Sequence, residues 1–83
     1  MKRVLRFTAS WCQPCKVMAK NLEEINTNFK LPIEVVDIDS QYDIAMEYSI
    51  RSVPTLIMKE ENIEVKRLTG LQSKEKLTEW LNG

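Results

Sequence analysis

Two cysteines stand three positions apart in Trp11-Cys12-Gln13-Pro14-Cys15-Lys16, and the chain holds no others. Residues three apart in a helix lie about 5 Å apart at Cα, inside the range a disulfide accepts, so such a pair can close and open reversibly. A thiol at a helix N-terminus faces unsatisfied N–H groups and the positive end of the helix dipole, both of which favour the thiolate. The spacing therefore predicts dithiol–disulfide exchange, with Cys12 as nucleophile at the helix start and Cys15, one turn further in and less exposed, as the resolving thiol. Lys16 adds positive charge beside the pair, and Trp11 offers an apolar lip to a docking protein.

Three duller readings compete for the same residues. A zinc half-site needs two more ligands, which would have to be carboxylates or come from another subunit. A structural disulfide closing so short a loop adds little stability and does not persist in a reducing cytosol. Two chemically inert core cysteines are the third. Other chemistries lack their residues. The chain has no histidine, so His-based acid/base catalysis, Cys-His and Ser-His pairs and His-containing metal sites are excluded, and its two glycines are too few for a phosphate-cradling loop.

The elements that must position the pair follow from periodicity. Val4 to Thr8 reads as a strand feeding a long helix whose Met18, Leu22, Ile25 and Phe29 recur at helical spacing. Pro14 falls in the first turn, where its missing N–H has no intrahelical partner, and Leu31-Pro32 ends the stretch. Ile33 to Ile38 is a second strand, completing a βαβ unit with parallel strands and a right-handed crossover. Asp39 to Ser49, with Ile44, Ala45 and Tyr48 on one stripe, suits a short helix on the other face of the sheet. Val53 to Met58 and Ile63 to Leu68 flank Lys59-Glu60-Glu61-Asn62 as a hairpin with a solvated turn. Ser73 offers an N-cap to a last helix striped by Leu77, Trp80 and Leu81. Met18, Met46 and Met58 are expected in the core.

Eighty-three residues admit one small domain, 1–83, and the mixture of elements makes it α/β. Twelve basic residues balance twelve acidic ones, leaving no basic field for nucleic acid. No apolar run approaches the roughly 18 to 20 residues of a membrane span, and Arg6 interrupts any signal-peptide core. These features predict a soluble, cytoplasmic monomer with no membrane or nucleic-acid partner.

Trp11-Cys12-Gln13-Pro14-Cys15-Lys16 together with Ile50-Arg51-Ser52-Val53-Pro54-Thr55-Leu56 resembles the thioredoxin family, and the likeness covers nearly the whole chain apart from the family's usual first strand and helix. The resemblance implies a minimal thioredoxin fold, β-α-β-α-β-β-α, with a four-stranded mixed sheet and helices on both faces. It implies a protein-disulfide reductase with an exposed first cysteine and no bound cofactor, whose Cys12-Cys15 disulfide is recharged by a thioredoxin reductase-type flavoprotein using NADPH. It also implies that Pro54 is cis beside the cysteines, that Val53 offers its backbone to an extended substrate segment, and that Gly70 lets that segment approach.

The sequence departs from the family at two support positions. Gln13 replaces the common glycine between the cysteines, so the potential cannot be inherited. Arg6 stands where thioredoxins usually carry a buried carboxylate, six residues before the first cysteine. A buried unpaired arginine is costly, so Arg6 is expected to reach solvent or pair with Asp37 or Asp39, and its charge to lower the nearby thiol pKa values. A glutathione-recharged glutaredoxin is the nearest alternative, suggested by the short length. Leu71 and Gln72 disfavour it, because glutaredoxins typically carry a second glycine and an acidic residue there. A non-catalytic binding module gripping a partner through Val53-Pro54 and Trp11 is the other alternative.

Overall fold

The first apolar alternation becomes the strand on which the rest is assembled. The computed structural model describes residues 1–83 in the order β1 (Lys2–Thr8), α1 (Gln13–Asn26), β2 (Ile33–Asp37), α2 (Tyr42–Glu47), β3 (Thr55–Glu60), β4 (Ile63–Thr69) and α3 (Lys74–Asn82). The sheet runs β2-β1-β3-β4; β2 is parallel to β1, whereas β3 and β4 pair antiparallel. This is the expected mixed α/β sheet.

Side-chain alternation along β1 splits the core in two. Val4 joins Met18, Leu22, Ile25, Leu56, Met58, Leu77, Trp80 and Leu81 beneath α1 and α3. Leu5 and Phe7 point the other way, joining Val36 and Ile57, with Ile44 and Tyr48 laid against them. Ser73 caps α3 by accepting the Lys76 N–H at 3.1 Å, as its residue type predicts.

Several boundaries differ from the sequence reading. The first helix stops at Asn26, whose side-chain amide bonds both backbone groups of Leu31 at 3.0 and 3.1 Å and turns the chain, so Phe29 packs on the core from beyond the helix end. The second helix covers Tyr42–Glu47 only, and Met46 is 60% exposed rather than core. Its stripe holds Ala45, while position 46 lies about 100° further round. The hairpin loop is two residues, not four: Glu61 and Asn62 both have positive φ, as a type I′ turn requires, and β3 runs through Glu60. Lys59 is consequently a strand residue only 8% exposed, not part of a solvated turn. Val53 and Pro54 precede β3 instead of belonging to it, and the peptide bond between them is cis.

Candidate functional site

The cysteine pair lies where β1 ends and α1 begins. Cys12 is the N-cap of α1, in extended conformation, and its Sγ accepts the Cys15 N–H at 3.1 Å. A sulfur thus takes the place usually held by a Ser, Thr or Asp oxygen in satisfying a free helix-start N–H. Pro14 occupies the first turn, and no acidic residue falls there to oppose a thiolate. Cys12 and Cys15 form a disulfide, with Cα atoms 5.3 Å apart. Cys12 is only 4% exposed in this oxidised form, less open than the resemblance implied, because the disulfide is packed with Ala9, Ile38 and Val53.

That packing brings the two motifs together across 38 residues of sequence. Pro54 is buried behind Val53, and its carbonyl accepts the Gly70 N–H at 2.8 Å, which ties the end of β4 to the same place. Gly70 has φ +84°, a left-handed conformation that other residues adopt only under strain. Trp11 is 66% exposed beside the disulfide, and its indole Nε1 donates to Asp39 Oδ2 at 3.0 Å. Gln13, Pro14 and Lys16 are exposed on the first turn of α1. Sequence reasoning assigned Asp39 no part in orienting the indole. Its one available signal was its place just after β2, since the C-terminal ends of parallel strands converge on one edge.

Arg6 stands apart from this group. It is half-buried in a hollow of about 370 Å³ shared with Ala19, Leu22, Glu23 and Ile33. Neither expected carboxylate pairs with it: Asp37 Oδ1 accepts the backbone N–H groups of Asp39 and Ser40, and Asp39 holds Trp11. Burial pushes the guanidinium pKa down, and the opposing influence comes from Glu23 on α1.

The arrangement places the Cys12–Cys15 disulfide at a helix start against Val53, with Pro54 buried behind Val53 and bonded to Gly70, and with Trp11 exposed next to Cys12 in the chain. The sequence profile of the Thioredoxin family matches residues 1–83. The chain belongs to the thioredoxin family. It is 36% identical over 78 residues to a thioredoxin of Rickettsia felis, covering 92% of this chain and 74% of that one. With a thioredoxin of Staphylococcus aureus it shares 37% identity over 82 residues, 96% of this chain and 79% of the other. Among solved structures, a thioredoxin N21Q mutant from Halobacterium salinarum superposes with a TM-score of 0.90 at 26% identity, covering 98% of this chain and 72% of that one. The thioredoxin of Fasciola hepatica gives 0.89 at 29%, covering 98% and 78%. With its Cys12–Cys15 disulfide, this thioredoxin-family chain is a protein-disulfide oxidoreductase. No helix is long and apolar enough to cross a membrane.

Proposed function

We propose that residues 1–83 act as one unit that reduces protein disulfides, with Cys12 as nucleophile and Cys15 as resolving thiol. The observation that carries this reading is the cap: the atom that accepts the Cys15 N–H is Cys12 Sγ, so a thiolate formed on reduction keeps a donor and the positive end of α1. The Cys12 thiolate attacks one sulfur of a substrate disulfide, and the other substrate sulfur leaves as a thiolate. Cys15, deprotonated, attacks Cys12 Sγ of the mixed disulfide and expels the second substrate sulfur. Two electrons pass to the substrate, and the Cys12–Cys15 bond closes.

Val53, Pro54, Gly70 and Trp11 support a docking role, since an extended substrate segment laid on the open backbone of Val53 would bring its sulfur to the cysteines. Gln13, Pro14 and Lys16 shape the helix start, and Arg6 contributes positive charge to the face that α1 covers. A flavoprotein of the thioredoxin reductase type, drawing on NADPH, would return two electrons to the disulfide. We place this cycle in the cytoplasm and in a monomer, without nucleic-acid or membrane partners.

The deciding experiment is equilibrium titration of the Cys12–Cys15 couple in redox buffers, with acid quench and alkylation counted by mass. A potential near or below about −250 mV, close to the general value for thioredoxin, supports a reductase. A potential above about −200 mV, with faster recharging by glutathione than by a flavoprotein reductase, would replace it with glutaredoxin-like work. Full biological function after replacing both cysteines by serine would leave only a binding module.

A further inference from the structure

The backbone of Val53 is turned outward by a side chain to which the sequence assigned no role. Ser52, Val53 and Pro54 precede β3 and pair with no strand. Three peptide units decide what this stretch offers to another chain. The first joins Ser52 to Val53, and its carbonyl accepts a hydrogen bond from the Thr55 hydroxyl at 2.8 Å. The third joins Pro54 to Thr55, and its carbonyl accepts the Gly70 N–H, also at 2.8 Å. The unit between them carries a carbonyl and no N–H, because proline has none. Within the chain, neither the N–H nor the carbonyl of Val53 has a hydrogen-bond partner.

The first clamp sets the direction of the open N–H. The Ser52 carbonyl and the Val53 N–H belong to one planar trans peptide unit, so they point in opposite directions. Thr55 is 1% exposed, which means that the oxygen held by its hydroxyl points into the protein. The Val53 N–H is thereby aimed out of it.

Thr55 is itself firmly placed. It lies in β3, opposite Phe7 of β1 and Thr69 of β4, and its branched Cβ restricts χ1. Its hydroxyl would be a buried donor without an acceptor if the Ser52 carbonyl turned away, a costly state. Ser52 is exposed, so its carbonyl has water as an alternative partner. The clamp therefore holds because the threonine needs it. A valine at position 55 would keep the shape and stiffness of the side chain and leave the peptide unit free to rotate.

We propose that Thr55 is a positioning residue for substrate docking: its hydroxyl fixes the plane of the Ser52–Val53 peptide and so presents the Val53 N–H to a backbone carbonyl of the extended substrate segment. This rests on the docking reading of Val53 given above and deepens it. Thr55 acts through the peptide unit rather than on the sulfurs. It should matter for a disulfide carried on a peptide backbone and not for one carried on a small molecule.

The test compares two mixed disulfides of thionitrobenzoate as substrates of the reduced protein, one on the central cysteine of a capped five-residue alanine peptide and one on 2-mercaptoethanol. In each case the protein dithiol gives two electrons to the substrate disulfide. Thionitrobenzoate and the second thiol leave, and the Cys12–Cys15 bond closes. Thr55→Val should slow the peptide probe about two- to tenfold, the range expected for one backbone hydrogen bond, and leave the small probe unchanged. Thr55→Ser keeps the hydroxyl and should match the wild type on both probes, although losing a buried methyl makes it the less stable variant in urea. In isotope-labelled protein, the residual dipolar coupling of the Val53 N–H should change in Thr55→Val and not in Thr55→Ser. If Thr55→Val fails to fold, Thr55→Ala against Thr55→Ser decides, with only the alanine variant slow on the peptide. Equal slowing of both probes, or an unchanged Val53 coupling in Thr55→Val, would overturn the proposal. A wild-type preference for the peptide that Thr55→Val retains would overturn it alone, whereas a wild type that reacts no faster with the peptide than with the small probe would overturn the docking reading as well.

Discussion

The two faces of the sheet are closed by different physics. Beneath α1 and α3, nine buried apolar residues interlock, from Val4 and Met18 to Leu81. Beneath α2, the fully buried set is Leu5, Phe7, Val36 and Ile57, and a helix of six residues is too short to present a long apolar stripe. Polar contacts finish that side. The Lys59 ammonium donates to the Tyr48 hydroxyl, Arg3 pairs with Glu34 at 3.2 Å, and Arg67 reaches the Tyr48 carbonyl at 3.2 Å. The ammonium lies 5.1 Å from the Tyr48 ring centre while bonded to its hydroxyl, so it sits beyond the ring edge and acts through the hydrogen bond. The helix that carries the cysteines rests on the apolar face. Its geometry is held by burial, which responds little to salt or pH, whereas the opposite face depends on directional contacts.

The largest expected effect that would break this contrast is on the apolar side. Leu22→Ala leaves a cavity beneath α1 and should cost about 2–5 kcal/mol. Urea unfolding checks it, and a loss below about 1 kcal/mol would mean that the face is not the close-packed one described. Tyr48→Phe should cost less, about 1–3 kcal/mol, because it strands a buried ammonium without its acceptor. Adding Lys59→Met removes the stranded charge and should restore most of that loss; a double variant as weak as Tyr48→Phe alone would show that packing, not the polar pair, closes this side.

The smallest effect is acid sensitivity. Glu64 is held below the ordinary carboxylate range chiefly by its hydrogen bond with Arg67, Glu24 by Lys74, and Glu61 by the N-terminal ammonium. A carboxylate whose pKa is lower folded than unfolded adds stability that is present above the ordinary value of 4.5 and lost as pH falls through the folded value. Tm should therefore be flat from pH 8 to about 5 as far as these groups are concerned, then decline below about 4.5. Glu64→Gln should soften that decline slightly, since exposed pairs contribute little.

Much of this architecture was legible because it is local. Met18, Leu22 and Ile25 recur at helical spacing, Pro14 and Ser73 mark helix starts, and the cysteine spacing places both sulfurs on one turn. The errors share a cause. Lysine is usually solvated, yet Lys59 is paired with Arg3 of β1, far away in sequence, and donates to Tyr48 just after α2. Met46 looked buried because methionine usually is, and a short helix simply turned it outward. Of the two outcomes expected for Arg6, solvent or a carboxylate, the pairing with Asp37 or Asp39 does not form, because those carboxylates have nearer donors in their own turn and on Trp11, and Arg6 stays half-exposed.

The sequence by itself determined the order of elements, the reversible cysteine pair and its place at a helix start, since periodicity, capping and a three-residue spacing act within one or two turns of chain. Only the tertiary structure decided that Val53 packs on the disulfide, that Gly70 bonds Pro54, and that Asp39 holds Trp11. Those are relations between residues far apart along the chain. They depend on strand order and register, which no local preference specifies.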